Sequence, residues 1–144
     1  METANFLTWF FLVLAIAGLG IGIMVYAYQG KGSVSILFQM PVALPDILPD
    51  SAAGTEAAAT FQQGCSAFQV NNYSQAVEHF TQAIQQLETL AEAYHNRGLT
   101  HANLLKDNQS VIDLVRASEL YEQQENRENL ILLKQHLEAI KARP

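Results

Sequence analysis

Four histidines and one cysteine are the side chains of this 144-residue sequence best suited to metal or nucleophilic chemistry. His95 and His101 stand on one helical stretch at a separation that is neither i+3 nor i+4, so they are poorly placed to share an ion. They read as surface or groove histidines. His79 and His136 have no companion at ligand spacing. Cys65 follows Gly64 and has no evident basic neighbour to lower its pKa, so it reads as a small packed residue and not as a nucleophile. A lone cysteine also excludes an internal disulfide framework and a cysteine-based zinc site. The glycines cluster near the N-terminus and form no phosphate-cradling loop, and no nucleophile motif precedes a sharp turn. The residues therefore predict no catalytic set, no cofactor and no metal; the expected activity is binding, not catalysis.

The elements that would present a binding surface follow from composition. Hydrophobic residues make up 49% of the chain and charged residues only 15%, a charge content low for a soluble domain of this size. The imbalance is local. Residues 3–30 hold no Asp, Glu, Lys or Arg, whereas residues 51–144 hold eleven acidic and seven basic side chains. A membrane-associated segment is thus joined to a soluble module. The net charge of −6 gives no support to nucleic-acid binding.

Phe6 to Tyr28 is an apolar run in which only Thr8 is clearly polar. As a helix it spans roughly 35 Å, against a hydrocarbon core of roughly 30 Å. Trp9 near one end and Tyr26 and Tyr28 near the other suit the two interfaces. A cleaved signal peptide fits less well, because no Lys or Arg precedes the run and the run is too long for an h-region. Residues 1–30 are therefore expected to be a single transmembrane anchor in contact with lipid through residues 6–28. Lys31, just after it, places the C-terminal side in the cytoplasm or its equivalent. Gly18 and Gly22 form a small-xxx-small pair that lets another membrane helix approach closely; the competing reading is that glycine is common in such helices.

Residues 31–50 form a linker with Pro41, Pro45 and Pro49 at four-residue spacing, which forbids a regular helix and favours an extended path. The stretch is nevertheless oily, from Ile36 through Phe38 and Val42 to Leu48, whereas a flexible spacer would be polar. It needs cover from the membrane surface, from its own helical module or from a partner. Docking on the module or on a partner is the expectation, because the module alone has a thin core. Asp50 or Ser51 can cap the helix that follows.

Residues 57–90 and 91–124 align without a gap at a period of 34. Gly64 corresponds to Gly98, Ala76 to Ser110, Phe80 to Leu114 and Ala83 to Ala117. Small residues at these places allow two helices to pack closely. In Ser74–Leu87 the apolar positions 76, 77, 80, 83, 84 and 87 have helical spacing. Asn71-Asn72 signals a turn inside the first repeat, and Lys106-Asp107-Asn108 takes that part in the second. A final helix over about 126–143, capped by Asn126, places Leu130, Leu133, Leu137 and Ile140 on one face and can cover the end of the array. Ile131 and Leu132 widen that stripe.

This pattern resembles the tetratricopeptide repeat (TPR) family, through Gly64, Tyr73, Ala76, Phe80 and Ala83 and then Tyr94, Gly98 and Ala117. Thr60 departs from the family pattern where a large aromatic is usual, Asp107 where an aromatic is usual, and Glu88 and Glu122 where a closing proline is usual. The resemblance implies an all-α fold: a transmembrane helix followed by a solenoid of two antiparallel helix pairs and a capping helix over 51–144. It also implies a concave groove lined by Ala58, Phe61, Cys65, Phe68 and Gln69 from the first repeat and by Glu92, His95, Leu99, Ala102 and Asn103 from the second. Helical spacing alone equally allows Phe61 and Phe68 to be core. No lysine stands at these positions, so a grip on acidic C-terminal tails is not expected.

The phrase AYHNRGL and the ending LYEQQENRENLILLKQHLEAIK are similar to TPR proteins of cyanobacteria and plastids. That likeness implies a scaffold tethered to the thylakoid membrane, with other proteins as partners and a role in assembling a photosynthetic membrane complex. A permanent accessory subunit of such a complex is the alternative, and a receptor for soluble peptides is a third reading. The orientation is open to test: protease added to sealed, right-side-out vesicles leaves residues 51–144 intact, and their digestion would contradict the topology.

Overall fold

A computed structural model describes residues 36–45 and 48–143. The expected membrane helix over 6–28, with Gly18 and Gly22, lies outside the described residues. Among the described residues no helix is long and apolar enough to cross a membrane. Those residues are all-α, with no strand. Five helices follow one another: α1 Ala52–Gln69, α2 Tyr73–Gln86, α3 Ala91–Asn103, α4 Asp107–Gln123 and α5 Arg127–Lys141.

Side-chain oxygens start three of them. Ser51 Oγ accepts the Gly54 N–H at 3.1 Å, and Asn72 and Asn126 accept from Gln75 and Asn129 at 3.4 and 3.1 Å. Each such cap is worth about 1 kcal/mol. The turns after α1, α3 and α4 share one geometry. Asn71, Leu105 and Glu125 adopt positive φ of 61°, 59° and 54°. The following N–H of Asn72, Lys106 and Asn126 closes on the carbonyl of Ala67, His101 and Tyr121, each at 2.9 Å. This six-to-one closure satisfies carbonyls that the helix end leaves open.

The turn expected at Lys106-Asp107-Asn108 falls earlier. Asp107 already begins α4, and Leu105 carries the left-handed residue. Asparagine tolerates that conformation and so signals it, whereas leucine pays a strain of roughly 1–3 kcal/mol and gives no sign in the sequence.

Close packing explains the small residues. A Cβ at Gly64 would come within 2.6 Å of the Phe80 ring, and one at Gly98 within 2.9 Å of Leu114. Ala76, Ala83 and Ala117 are fully buried. Phe68, at the end of α1, meets Tyr73 at the start of α2 with ring centroids 5.4 Å apart, while Phe61 meets Phe80 at 5.5 Å. The two helices are therefore antiparallel. Consecutive helices pack on one another, and α3 also touches α1 and α5. That central place buries ten of its thirteen residues, polar ones included. Arg97 donates to both oxygens of the nearly buried Asp113 at 2.9 and 2.7 Å and to Thr81 at 3.1 Å, which ties α2, α3 and α4 together.

On α5, Leu133 and Ile140 are buried, Leu130, Leu132 and Leu137 are half-buried, and Ile131 is exposed. Inserting methylenes into this packing costs on the order of 1–3 kcal/mol. Ala76→Leu and Ala83→Leu should each lose that much in urea unfolding; a variant as stable as the parent would contradict the close contact.

Candidate functional site

Residues 36–45 adopt no helix or strand, yet their backbone must still be satisfied where it is buried. Two side chains of α3 do this. Asn96 and Asn103 lie about two turns apart and so share one face of the helix. Asn103 Oδ1 accepts the Phe38 N–H at 2.9 Å and the Leu37 N–H at 3.1 Å, and its Nδ2 donates to the Phe38 carbonyl at 2.7 Å. Asn96 treats Val42 the same way, accepting its N–H at 2.7 Å and donating to its carbonyl at 2.9 Å.

Each amide thus pairs with both polar groups of one residue, as a neighbouring β-strand would. Phe38 lies at the C-terminal end of α3 and Val42 further up, so the strip runs antiparallel to the helix. Pro41 and Pro45, which lack an N–H, fall between and beyond the clamped positions. Side chains follow suit: Phe38 and Val42 are buried, while Ile36 and Met40 are exposed. Residues 36–45 therefore belong to the same compact unit as the helices and do not form a separate spacer.

Apolar burial and hydrogen bonds together hold the docked strip. Burying Phe38 and Val42 contributes about 1.5–3 kcal/mol each, and each hydrogen bond a net of about 0.5–1.5 kcal/mol. Ordering an extended segment costs about 1–2 kcal/mol per residue.

Beneath Phe38 lies a polar cluster drawn from three helices. The His136 ring of α5 meets Phe38 edge-on at 4.8 Å. His136 Nδ1 is 2.9 Å from His95 Nε2 of α3, and His95 Nδ1 is 3.2 Å from the Tyr121 hydroxyl of α4. Burial, with His136 adding to it, pushes the His95 pKa down to about 3, and burial lowers His136 as well. Both imidazoles are neutral at pH 7. A neutral ring donates through one nitrogen and accepts through the other, so the three groups form one directed chain of hydrogen bonds. Burial raises Tyr121, and the nearby Glu92 charge raises it further. Glu92 is itself buried and raised, and it accepts from Asn129 Nδ2 at 3.2 Å.

The residues expected to line an open groove are placed as follows. Phe61 and Phe68 are core, facing α2. Gln69 is exposed, Ala58 is half-buried, and Leu99 and Ala102 are buried. Glu92 and His95 engage α4 and α5, so His95 is a buried residue and not a surface one. His136, expected to have no companion, is His95's partner. His101 lies 3.7 Å from Asp113 Oδ2 and is held low by burial. Cys65 is half-buried, with burial raising its thiol to about 12, and its Sγ lies 3.9 Å from Asn96 Nδ2.

Asn103 binds the strip from α3. Asn96 was missed, although an amide two turns before Asn103 on the same helix is a readable signal. Among the described residues no three His, Cys, Asp or Glu side chains converge as metal ligands. No family model, curated protein or solved structure matches the chain.

Buried neutral histidines make stability pH-dependent. Their folded pKa values lie below the unfolded value, so their contribution is complete above about pH 6.5 and is lost as pH falls. At about pH 5.5, His95 alone forfeits on the order of 1 kcal/mol. Glu92 works in the opposite sense in the range just above the ordinary carboxylate pKa, because its folded value is raised. The melting temperature should fall between about pH 7.5 and about pH 5.5, and should fall less in His136→Phe. An equal fall in the variant, or none in the parent, would contradict the burial of neutral rings.

Proposed function

We propose that the chain is a membrane-tethered TPR scaffold that holds partner proteins. In this reading residues 6–28 form one transmembrane helix, residues 57–90 and 91–124 form two repeats, and the helix within 126–143 caps them. The observation that carries the reading is the α3 face, where Asn96 and Asn103 take up an extended backbone and leave its side chains to select the sequence. Peptide recognition by such a surface gains affinity from main-chain pairing and specificity from a few pockets.

The tether raises the concentration of this surface near membrane-embedded partners. The likeness to cyanobacterial and plastid TPR proteins supports subunits of a photosynthetic complex in the thylakoid as those partners, with the module on the cytoplasmic or stromal side.

The test is a photo-crosslinking amino acid in place of the exposed Met40, in the full-length chain within its native membrane. The reading expects cross-links to defined membrane-complex subunits and substoichiometric comigration with that complex on native gels. A chain that migrates alone and cross-links to no membrane-complex subunit would overturn it.

A further inference from the structure

We propose that residues 36–45 are an internal ligand of the groove, and that the same site takes an extended partner peptide of matching pattern. That pattern is an aromatic residue followed four positions later by a β-branched aliphatic one, both with a free backbone N–H. The proposal rests on the scaffold reading and names the regulation of its site.

Three observations point there. First, the strip is held as a bound peptide is held. Its backbone pairs with side chains and not with a sheet, and only Phe38 and Val42 are buried, at 6% and 8% exposure, while Met40 between them is 67% exposed. Second, the helices also contact one another directly, and Phe38 and Val42 join a core built mostly from helical residues. Third, the strip leaves the groove over unfilled space. Pro45, Leu48 and Pro49 form one side of an open pocket of about 520 Å³, faced by Leu87, Leu90 and Gln124.

An emptied groove exposes the apolar seats of Phe38 and Val42 and loses five hydrogen bonds to the two asparagines, so release of the strip favours replacement over vacancy. A tethered ligand competes at the high effective concentration of a short linker, and a partner peptide therefore binds the intact chain weakly unless the strip is disabled. The aromatic position is set by the place of Phe38 against His136. Proline is excluded at both clamped positions because it has no N–H for the asparagine oxygen, and is tolerated where the strip itself carries it.

The experiment adds a fluorescent peptide, ILFQMPVALP, to the full-length chain in mild detergent. Phe38→Ala with Val42→Ala in the chain should raise the affinity for the added peptide by about ten-fold or more over the parent. Asn103→Ala on top of that pair should abolish the gain, as should N-methylation of the peptide's Phe and Val. A doubly substituted chain that keeps its helical circular dichroism and binds no better than the parent would overturn the proposal.

Should that variant not fold, hydrogen exchange on the parent decides. The Phe38 and Val42 amides should exchange through a local opening, faster than the amides of Leu99 and Leu114. Exchange at the rate of those core amides would make the strip a fixed part of the fold and overturn the proposal. The scaffold reading fails separately: it stands if complex subunits still cross-link to a chain that refuses the peptide, and falls if they do not although the peptide binds.

Discussion

A backbone that enters neither helix nor sheet still has N–H and C=O groups to satisfy, and in residues 36–45 two asparagines of one helix satisfy them. The constraint is geometric. A side-chain amide offers one acceptor and one donor site at a spacing that matches a single residue's N–H and C=O. Asn96 and Asn103 are placed so that Val42 and Phe38 can each be met in this way. The extended path between them is fixed in turn by proline, which occupies position 41 where no bond from the chain is required. An oily segment that would otherwise need a membrane or another protein for cover is held on its own helices.

The same demand shapes α3. A central helix in a small bundle would ordinarily be apolar, yet this one buries Glu92, His95, Asn96 and Asn103. Each is matched from outside α3: Asn129 of α5 to Glu92, Tyr121 of α4 and His136 of α5 to His95, and the strip to the two asparagines. A partner lost at any of these points strands a polar group in a dry setting, which costs about 1–3 kcal/mol. On another side of the helix, Arg97 and Asp113 impose a similar requirement. The stack of helices is thereby held in one register by polar pairs as well as by apolar volume.

How much of this was legible depends on the range of the interaction. Apolar spacing near Ala76, Phe80 and Ala83 marks a helix because neighbours on a helix face are three and four residues apart. Gly64 and Gly98, or the Asn71 turn, announce close approach and reversed chain direction through residue type. Leu105 does the same work as Asn71 with a side chain that says nothing of it.

The binding geometry was harder to read, because its partners are far apart in sequence. His95 and His136, or Asn103 and Phe38, are joined only once the helices stack, and ligand-spacing rules applied along the chain separate them. The buried place of Phe61 and Phe68 was one of two readings that helical spacing allows, and contact with α2 decides it. The apolar linker was recognisable as needing cover; which surface supplies it depends on two amides that no local pattern connects to it.

The central claim is that the strip is part of the helical unit, held in its groove. Thermal melting of residues 33–144 against residues 51–144, both lacking the N-terminal apolar run, tests it most directly. The longer chain should melt several degrees higher, or the shorter should aggregate because the face that carries Asn96 and Asn103 is uncovered. Identical melting of two soluble monomers would contradict the account and assign the strip to the membrane or to another protein.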